Sequence, residues 1–334
     1  MRLENILALT HGTLVNEPFV REFENVVFTA KSVKRGDLFL AFNEDEIEEA
    51  IVAGAYGIMF CKPTQISDSE IAWIKVDDLY DALVRIIRFK LIDKEIVVYE
   101  CSEVILKLAL QIMTESNFIA LNGSLQNNFK RLWEIENGSV ILFSPALLSK
   151  DVFTNIQTLS TNALEKINVI EQTLFETSFI YENTFYERQL ISPFFIPYLE
   201  ILFHFLKRNK INFRLRKFQP IDHFEAVFTN KNFEIKEFGT SDKVLIFEKN
   251  VELIERQMEF LQQQAAWAKL LYLLPQRLKL PQIKSCENVI YYKSINDIKN
   301  LLRKHSFHFA FIVGADKSIL KKPLVSQVQL QLDF

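Results

Sequence analysis

Val33-Lys34-Arg35-Gly36-Asp37-Leu38-Phe39-Leu40-Ala41-Phe42, followed by Glu48-Glu49-Ala50-Ile51-Val52-Ala53-Gly54-Ala55, is the stretch on which the reading of this chain turns. Gly36-Asp37 reads as a turn and residues 38–42 as a buried strand, because the run is apolar and bounded by turn formers. Ile47, Ala50 and Ile51 then recur at helical spacing over residues 46–53. Gly54 suits the left-handed residue that ends such a helix.

Working outward, residues 56–60 and 71–76 read as further strands, and Asp78 as the cap of a helix carrying Ala82, Leu83, Ile86 and Ile87. This order implies a small α/β domain over residues 1–94. A second unit, 95–210, opens with a strand at 95–99 and a helix over 102–115. Phe118-Ile119-Ala120-Leu121 is a short apolar strand that runs into Asn122-Gly123-Ser124, the strand–turn–helix layout of a phosphate-binding loop. A strand follows at 139–143. Residues 150–190 show no clear period, and 193–209 is helical by pattern. A third unit, 211–334, again alternates strands and helices. Residues 224–228 and 233–238 read as a strand pair, 244–247 as a buried strand, and 251–274 as a long helix. That helix carries Trp267, Leu270, Leu271, Leu273 and Leu274 near its end, which suits core packing. A strand at 289–292, a helix at 295–304 and a strand at 309–313 complete the pattern.

Composition excludes several classes. Hydrophobic residues make up 49% and charged residues 24% of 334, which argues for folded domains rather than disorder. A net charge of −3 gives no support to non-specific nucleic-acid binding. The basic stretch Lys207-Arg208-Asn209-Lys210 reads as a solvated helix end. Cys61, Cys101 and Cys286 are widely spaced, which argues against a zinc site or a disulfide framework and fits a reducing cytosol. His305 and His308 stand three apart without a carboxylate or cysteine to complete a ligand set, so no metal is expected. The N-terminus lacks a signal pattern, and the apolar run 194–205 is too short to span a bilayer. A cytoplasmic protein without a membrane span is expected.

The opening stretch resembles the amino-terminal domain of Mur ligases, which carry "KPGDLFVAL" and then "AIEKGA". It is closest to the MurF type, which adds D-alanyl-D-alanine to UDP-N-acetylmuramoyl-tripeptide. Val76-Asp77-Asp78-Leu79-Tyr80-Asp81-Ala82-Leu83 resembles the family's "VDDTLKAL". Ile119 to Asn128 falls where the family has "ITGSNGKTT". Phe218-Gln219-Pro220-Ile221 resembles the start of its carboxy-terminal domain, and residues 309–317 resemble the strand and "KGSR" turn near the family's end. The resemblance is best over the first hundred residues. It implies an α/β, Mur-ligase-like multi-domain chain with a small α/β N-terminal domain, a truncated P-loop-like central domain and a Rossmann-like C-terminal domain.

The departures from that pattern shape the functional expectation. A P-loop holds a triphosphate with backbone N–H groups, a lysine on the β/γ-phosphates and a hydroxyl on Mg²⁺. Gly123 and Ser124 remain here, with Asn122 before them. The second glycine, the lysine and the hydroxyl residue are replaced by Gln126, Asn127 and Asn128. A neutral amide cannot supply the lysine's charge. Lys130 comes three positions later and is read as lying on another face of the helix. The family's "DSR" triplet, which helps hold the UDP group, aligns with Thr29-Ala30-Lys31, and its loop "KGERFDGHDF" is cut to Asn43-Glu44-Asp45-Glu46. Thr29 and Lys31 remain as a residual UDP-precursor site. The acidic metal ligands and modified lysine of the family's central domain have no counterpart between 125 and 200, and its "DSYNANP" segment is not kept at 247–250.

Losing such groups together removes most of the stabilisation of a phosphoryl-transfer transition state, each costing about 10²–10³ in rate. No catalytic residue and no cofactor are therefore expected. Three readings stay open. The first is a non-catalytic homologue that binds a cell-wall synthesis protein or a UDP-muramyl peptide. The second is a divergent ligase that still uses ATP and Mg²⁺, with Lys130 or another cation. The third is a small-molecule binding protein using a cleft between domains.

Overall fold

The computed structural model describes residues 1–62, 64–160, 165–278 and 288–321. They group into two compact units, Met1–Leu106 with Thr114–Leu159, and Lys107–Met113 with Ser160–Phe334. Cys286 lies outside the described residues.

The first unit holds two sheets. Strands β1 (Thr13–Leu14), β2 (Val26–Val27), β3 (Leu38–Leu40), β4 (Gly57–Phe60) and β5 (Ala72–Lys75) are ordered β1-β5-β4-β3-β2. All neighbours are parallel except β1 with β5. Each residue of β3 and β4 is buried, which is why these strands read as unbroken apolar runs rather than alternating ones. Gly57 is required by close approach, since a Cβ there would sit 2.6 Å from the Phe23 ring. Helix α1 (Leu3–Thr10) precedes the sheet. Helix α2 (Ile47–Val52) ends where the sequence places it, with Gly54 at φ +102°. Helix α3 (Leu79–Leu91) starts at Asp78, whose carboxylate accepts the N–H of Asp81 at 2.7 Å.

Strands β6 (Val97–Glu100), β7 (Phe118–Leu121), β8 (Val140–Phe143) and β9 (Gln157–Thr158) form an all-parallel sheet ordered β7-β8-β6-β9. Helix α4 (Glu103–Ile112) links β6 to β7, and α5 (Leu125–Trp133) links β7 to β8. One core runs from Leu40 and Met59 of the first sheet through Leu83 and Ile87 of α3 to Leu121 and Phe143 of the second.

In the second unit, β10 (Asn168–Gln172), β11 (Thr177–Tyr181) and β12 (Thr184–Gln189) form an antiparallel sheet, with helix α6 (Ile196–Arg208) after it. The β11–β12 turn uses Glu182 and Asn183 at φ +47° and +63°, the backbone a tight hairpin demands. Strands β13 (Glu225–Thr229), β14 (Lys243–Glu248), β15 (Leu270–Pro275), β16 (Val289–Tyr292) and β17 (Phe309–Val313) are ordered β13-β14-β17-β15-β16. Only β13 is antiparallel to its neighbour. Helices α7 (Val251–Gln264) and α8 (Ile298–Lys304) connect the parallel strands.

Two sequence expectations are corrected. The helix expected over 251–274 ends at Gln264, and Leu270–Pro275 is strand β15. The leucines there serve a strand whose four central residues are buried, rather than a helix face, and Trp267 is 74% exposed beyond the helix end. Residues 233–238 do not pair as a strand with 224–228. β13 pairs instead with β14, and 233–238 contribute a single bridge, Thr229 to Ile235. Residues 150–190, which show no clear period in the sequence, hold β9 to β12. The outer strands β10 and β12 are mostly exposed, so they carry little apolar alternation. Among the described residues, no helix is long and apolar enough to cross a membrane. The α/β class and the small amino-terminal α/β layer stand as expected from the sequence.

Candidate functional site

The turn between β7 and α5 is short. Asn122, Gly123 and Ser124 separate the strand from a helix that already begins at Leu125. Gly123 has φ +90°, the left-handed backbone that a side chain would strain. Ser124 is the N-cap, its hydroxyl accepting the N–H of Asn127 at 3.3 Å. Asn128 is only 2% exposed. Its side-chain amide turns back and lies 3.0, 3.3 and 2.9 Å from the carbonyl oxygens of Asn122, Gly123 and Ser124. Arg131 donates to the carbonyl of Ala120 at 2.8 Å. The acceptors of the turn are thus taken up by side chains of the helix that follows it.

The outer side of α5 has a different role. Gln126, Asn127 and Lys130 line a cleft of about 790 Å³ in the first unit. Its other wall is the segment from Asn25 to Glu46, including Thr29, Ser32, Lys34, Phe42 and Asn43. Residues three and four apart share a helix face, so Lys130 stands with Gln126 and Asn127. The expectation that Lys130 lies on another face is corrected. Lys130 is well exposed and pairs loosely with Glu134 at 3.8 Å.

The facing wall is held in shape by its own hydrogen bonds. Asp37, 1% exposed, accepts from the Asn25 amide at 3.1 Å and from the Lys34 N–H at 2.8 Å. Glu46 accepts from the Ala30 N–H at 2.8 Å and from Asn43 at 3.1 Å. Those bonds, the backbone one first, lower its pKa below the ordinary carboxylate value. The Thr29 and Ser32 hydroxyls lie 2.9 Å apart. Lys31 is exposed and does not line the cleft, so of the residual pair only Thr29 does.

Aromatic rings form the cleft's spine. Phe129 stacks on Trp133 at 5.2 Å, Phe28 meets Phe129 edge-on at 5.0 Å, and Phe42 lies 6.0 Å from Phe28. Trp133 also carries the Lys90 ammonium 4.9 Å from its ring. The sequence reading missed these rings. Phe129 and Trp133 are four apart on α5, but the contact of Phe28 with Phe129 joins segments 101 residues apart, which no local pattern marks.

The second unit has a comparable strand–turn–helix at β14–α7. Here the turn is organised by a buried carboxylate, Glu248, which is 1% exposed. Oε1 accepts from the Lys249 and Asn250 N–H groups, both at 2.8 Å, and from His223 Nδ1 at 3.0 Å. Oε2 accepts from the Phe224 N–H at 3.1 Å and the Gln257 amide at 2.7 Å. With Nδ1–H donating, the other ring nitrogen of His223 faces the Lys107 ammonium at 3.3 Å. Lys107 also pairs with Asp222 at 2.5 Å. Burial works against the Asp222 carboxylate, yet Lys107 outweighs it and holds that pKa below its ordinary value. The sequence reading passed over this cluster, whose members are far apart in the chain. His305 and His308 instead bond backbone, the carbonyl of Leu301 and the N–H of Lys269. Among the described residues, no group of three or more His, Cys, Asp or Glu side chains is placed to hold a metal.

No protein-family model matches the sequence, and no curated protein matches it. Solved structures match the fold. One crystal structure of MurF from Acinetobacter baumannii aligns with a TM-score of 0.54 at 10% identity, covering 96% of this chain and 99% of that one. A second crystal form of that MurF aligns with a TM-score of 0.50 at 11% identity, covering 96% and 99%. The molecule has a Mur-ligase-like, multi-domain α/β fold.

Proposed function

We propose that this chain is a non-catalytic, cytoplasmic protein of MurF-like type, tied to peptidoglycan precursor synthesis, that binds a muramyl precursor in the cleft beside α5 rather than turning over ATP. The observation that carries this reading is the β7–α5 turn. A triphosphate needs an open loop of N–H donors, a cation and a metal-anchoring hydroxyl. Here α5 winds up from Leu125, and Asn127 stands at the lysine position. Asn128, at the hydroxyl position, is spent on the turn's own carbonyl groups. The residues present do not fit ATP–Mg²⁺, and no step is routed through it. A degenerate nucleotide loop is the reading this supports.

The cleft favours ligand binding over a purely scaffolding role, because about 790 Å³ of partly polar space lies within the usual range for small-molecule sites. A cell-wall synthesis enzyme as protein partner is a further part of the proposal.

Thermal shift with ATP–Mg²⁺ and, separately, with UDP-N-acetylmuramoyl-tripeptide tests it. The precursor raises the melting temperature and ATP–Mg²⁺ does not. Magnesium-dependent ATP stabilisation that disappears when Lys130 is replaced by alanine would overturn it in favour of a divergent ligase.

A further inference from the structure

The second unit carries an aromatic groove that the proposed function does not use. Trp267 lies just beyond the end of α7 and is 74% exposed. Its ring meets Phe309 edge-on at 6.0 Å. Phe309 lies 6.3 Å from Phe175, Phe175 meets Phe228 edge-on at 5.7 Å, and Phe228 lies 4.6 Å from Phe238. These five rings line one groove of about 440 Å³. The run is covered in its middle and open at its ends, since Phe309 is 8% exposed and Phe238 43%. Contiguous apolar surface left in water and rimmed by polar groups marks a place where another molecule docks.

The lining sets what can cover it. Among the described residues, no charged side chain and no histidine lines the groove. A phosphate, carboxylate or ammonium would lose water there and find no counter-charge. The polar groups present are rich in donors. The Trp267 indole N–H and the side-chain amides of Gln172 and Gln264 line the groove, and none of them is bonded to another group of the described residues. An indole can only donate, and each amide offers two donors and one acceptor oxygen. The covering group is therefore uncharged, apolar in body and supplied with free acceptors. A helix has engaged its carbonyl oxygens internally. A strand brings a row of N–H groups that need acceptors of their own. A polyproline II segment leaves its carbonyl oxygens open, and proline has no N–H to satisfy.

We infer that this groove binds an uncharged, proline-rich segment of another protein in the polyproline II form. Proline rings lie on the aromatic run, and the segment's carbonyl oxygens accept from Trp267, Gln172 and Gln264. The 9 prolines of this chain nowhere stand closer than four positions apart, so residues 1–334 hold no such segment and a different molecule supplies it. The extended form is set in proline-rich sequence before binding, so little chain entropy is lost on docking. The groove belongs to the second unit, and the inference is independent of the precursor cleft in the first.

Titration of the full chain with N-acetyl-decaproline amide, followed by calorimetry and tryptophan fluorescence, tests the inference. Saturable binding is expected, with a blue shift that reports Trp267, because Trp73 is buried and Trp133 half-buried. A capped decapeptide of alternating glycine and serine is expected not to bind. Trp267→Ala should weaken decaproline at least about tenfold, the loss typical of an aromatic anchor. Gln264→Ala should weaken it about fivefold, the worth of one neutral hydrogen bond. The Gln264 amide bonds no other group of the described residues, so that variant keeps the parent melting temperature and decides the matter even if Trp267→Ala unfolds. Absence of saturable decaproline binding overturns the inference, as does equal affinity for the glycine–serine peptide. Unchanged affinity in Gln264→Ala does the same. Benzamide binding as tightly as decaproline overturns it in favour of a small-molecule site. A dimer in sedimentation that Trp267→Ala disperses overturns it in favour of a second copy of this chain.

Discussion

The two strand-to-helix turns, β7–α5 and β14–α7, are closed from opposite sides. At β7–α5 an amide, Asn128, gathers the carbonyl oxygens of the turn. At β14–α7 a carboxylate, Glu248, gathers its N–H groups. The second turn therefore carries its own anion at a helix start, where the backbone dipoles favour negative charge. The first has a helix wound over the residues that would otherwise cradle a ligand. The second arrangement uses up N–H groups that a phosphate would need, whereas the first occupies carbonyl oxygens, which a phosphate would not use.

The largest expected effect tests the second turn. Glu248→Ala leaves the N–H groups of Phe224, Lys249 and Asn250 and the Gln257 amide without their shared acceptor. A loss of about 3–5 kcal/mol in urea unfolding is expected; a loss under 1 kcal/mol would mean the carboxylate is dispensable. At the first turn, Asn128→Ala removes one neutral amide from three carbonyl groups, and about 1–3 kcal/mol is expected. Pairing Asn127→Lys with Asn128→Thr sharpens the contrast. It restores the cation and hydroxyl types of a nucleotide loop, yet ATP–Mg²⁺ should still give no thermal shift, because α5 continues to start at Leu125. Recovery of ATP binding would show that residue type alone, and not the wound helix, closes the site.

A smaller effect lies beside the second turn. Lys249 donates to Asp316 at 2.6 Å, and with the Ser318 hydroxyl it holds that carboxyl well below the usual range. A lowered folded-state pKa adds stability above the ordinary value near 3.8, and that stability is lost as pH falls through the folded value. Asp316→Asn should therefore cost under about 1 kcal/mol at pH 7, since both partners are solvent-screened. The difference from the parent should fade on acidification below pH 3. A gap that widens in acid would reverse the sign of the argument. The smallest effect belongs to Lys130→Ala, whose exposed pair with Glu134 is worth no more than about 0.5 kcal/mol of stability.

The contrast between the turns also explains what could be read beforehand. Leu38–Leu40, the Asp78 cap and the Phe118–Ser124 strand and turn were legible because each signal lies within a few consecutive residues. The helix expected over 251–274 failed at Gln264 because Leu270, Leu271, Leu273 and Leu274 suit a helix face and a buried strand equally well. At the site, Thr29, Gln126, Asn127 and Lys130 meet in one cleft, and Lys31 does not. Phe28 against Phe129, and His223 against Glu248, depend on contacts across 101 and 25 positions of chain. Spacing in a single sequence carries no trace of such pairs.

Helix α4 has a consequence for how the molecule can be made and divided. Residues up to Leu106 belong to the first unit, Lys107–Met113 to the second, and Thr114–Leu159 to the first again. Neither unit is a continuous piece of the gene product. During synthesis the first unit has its whole sequence by residue 159, while a strip of the second, already made, waits for more than a hundred residues still to come. A fragment beginning at 160 would lack Lys107, so Asp222 and His223 would lose the ammonium that lies between them. Cutting this protein at residue 160 therefore injures the carboxy-terminal unit, while residues 1–159 keep the whole of the first.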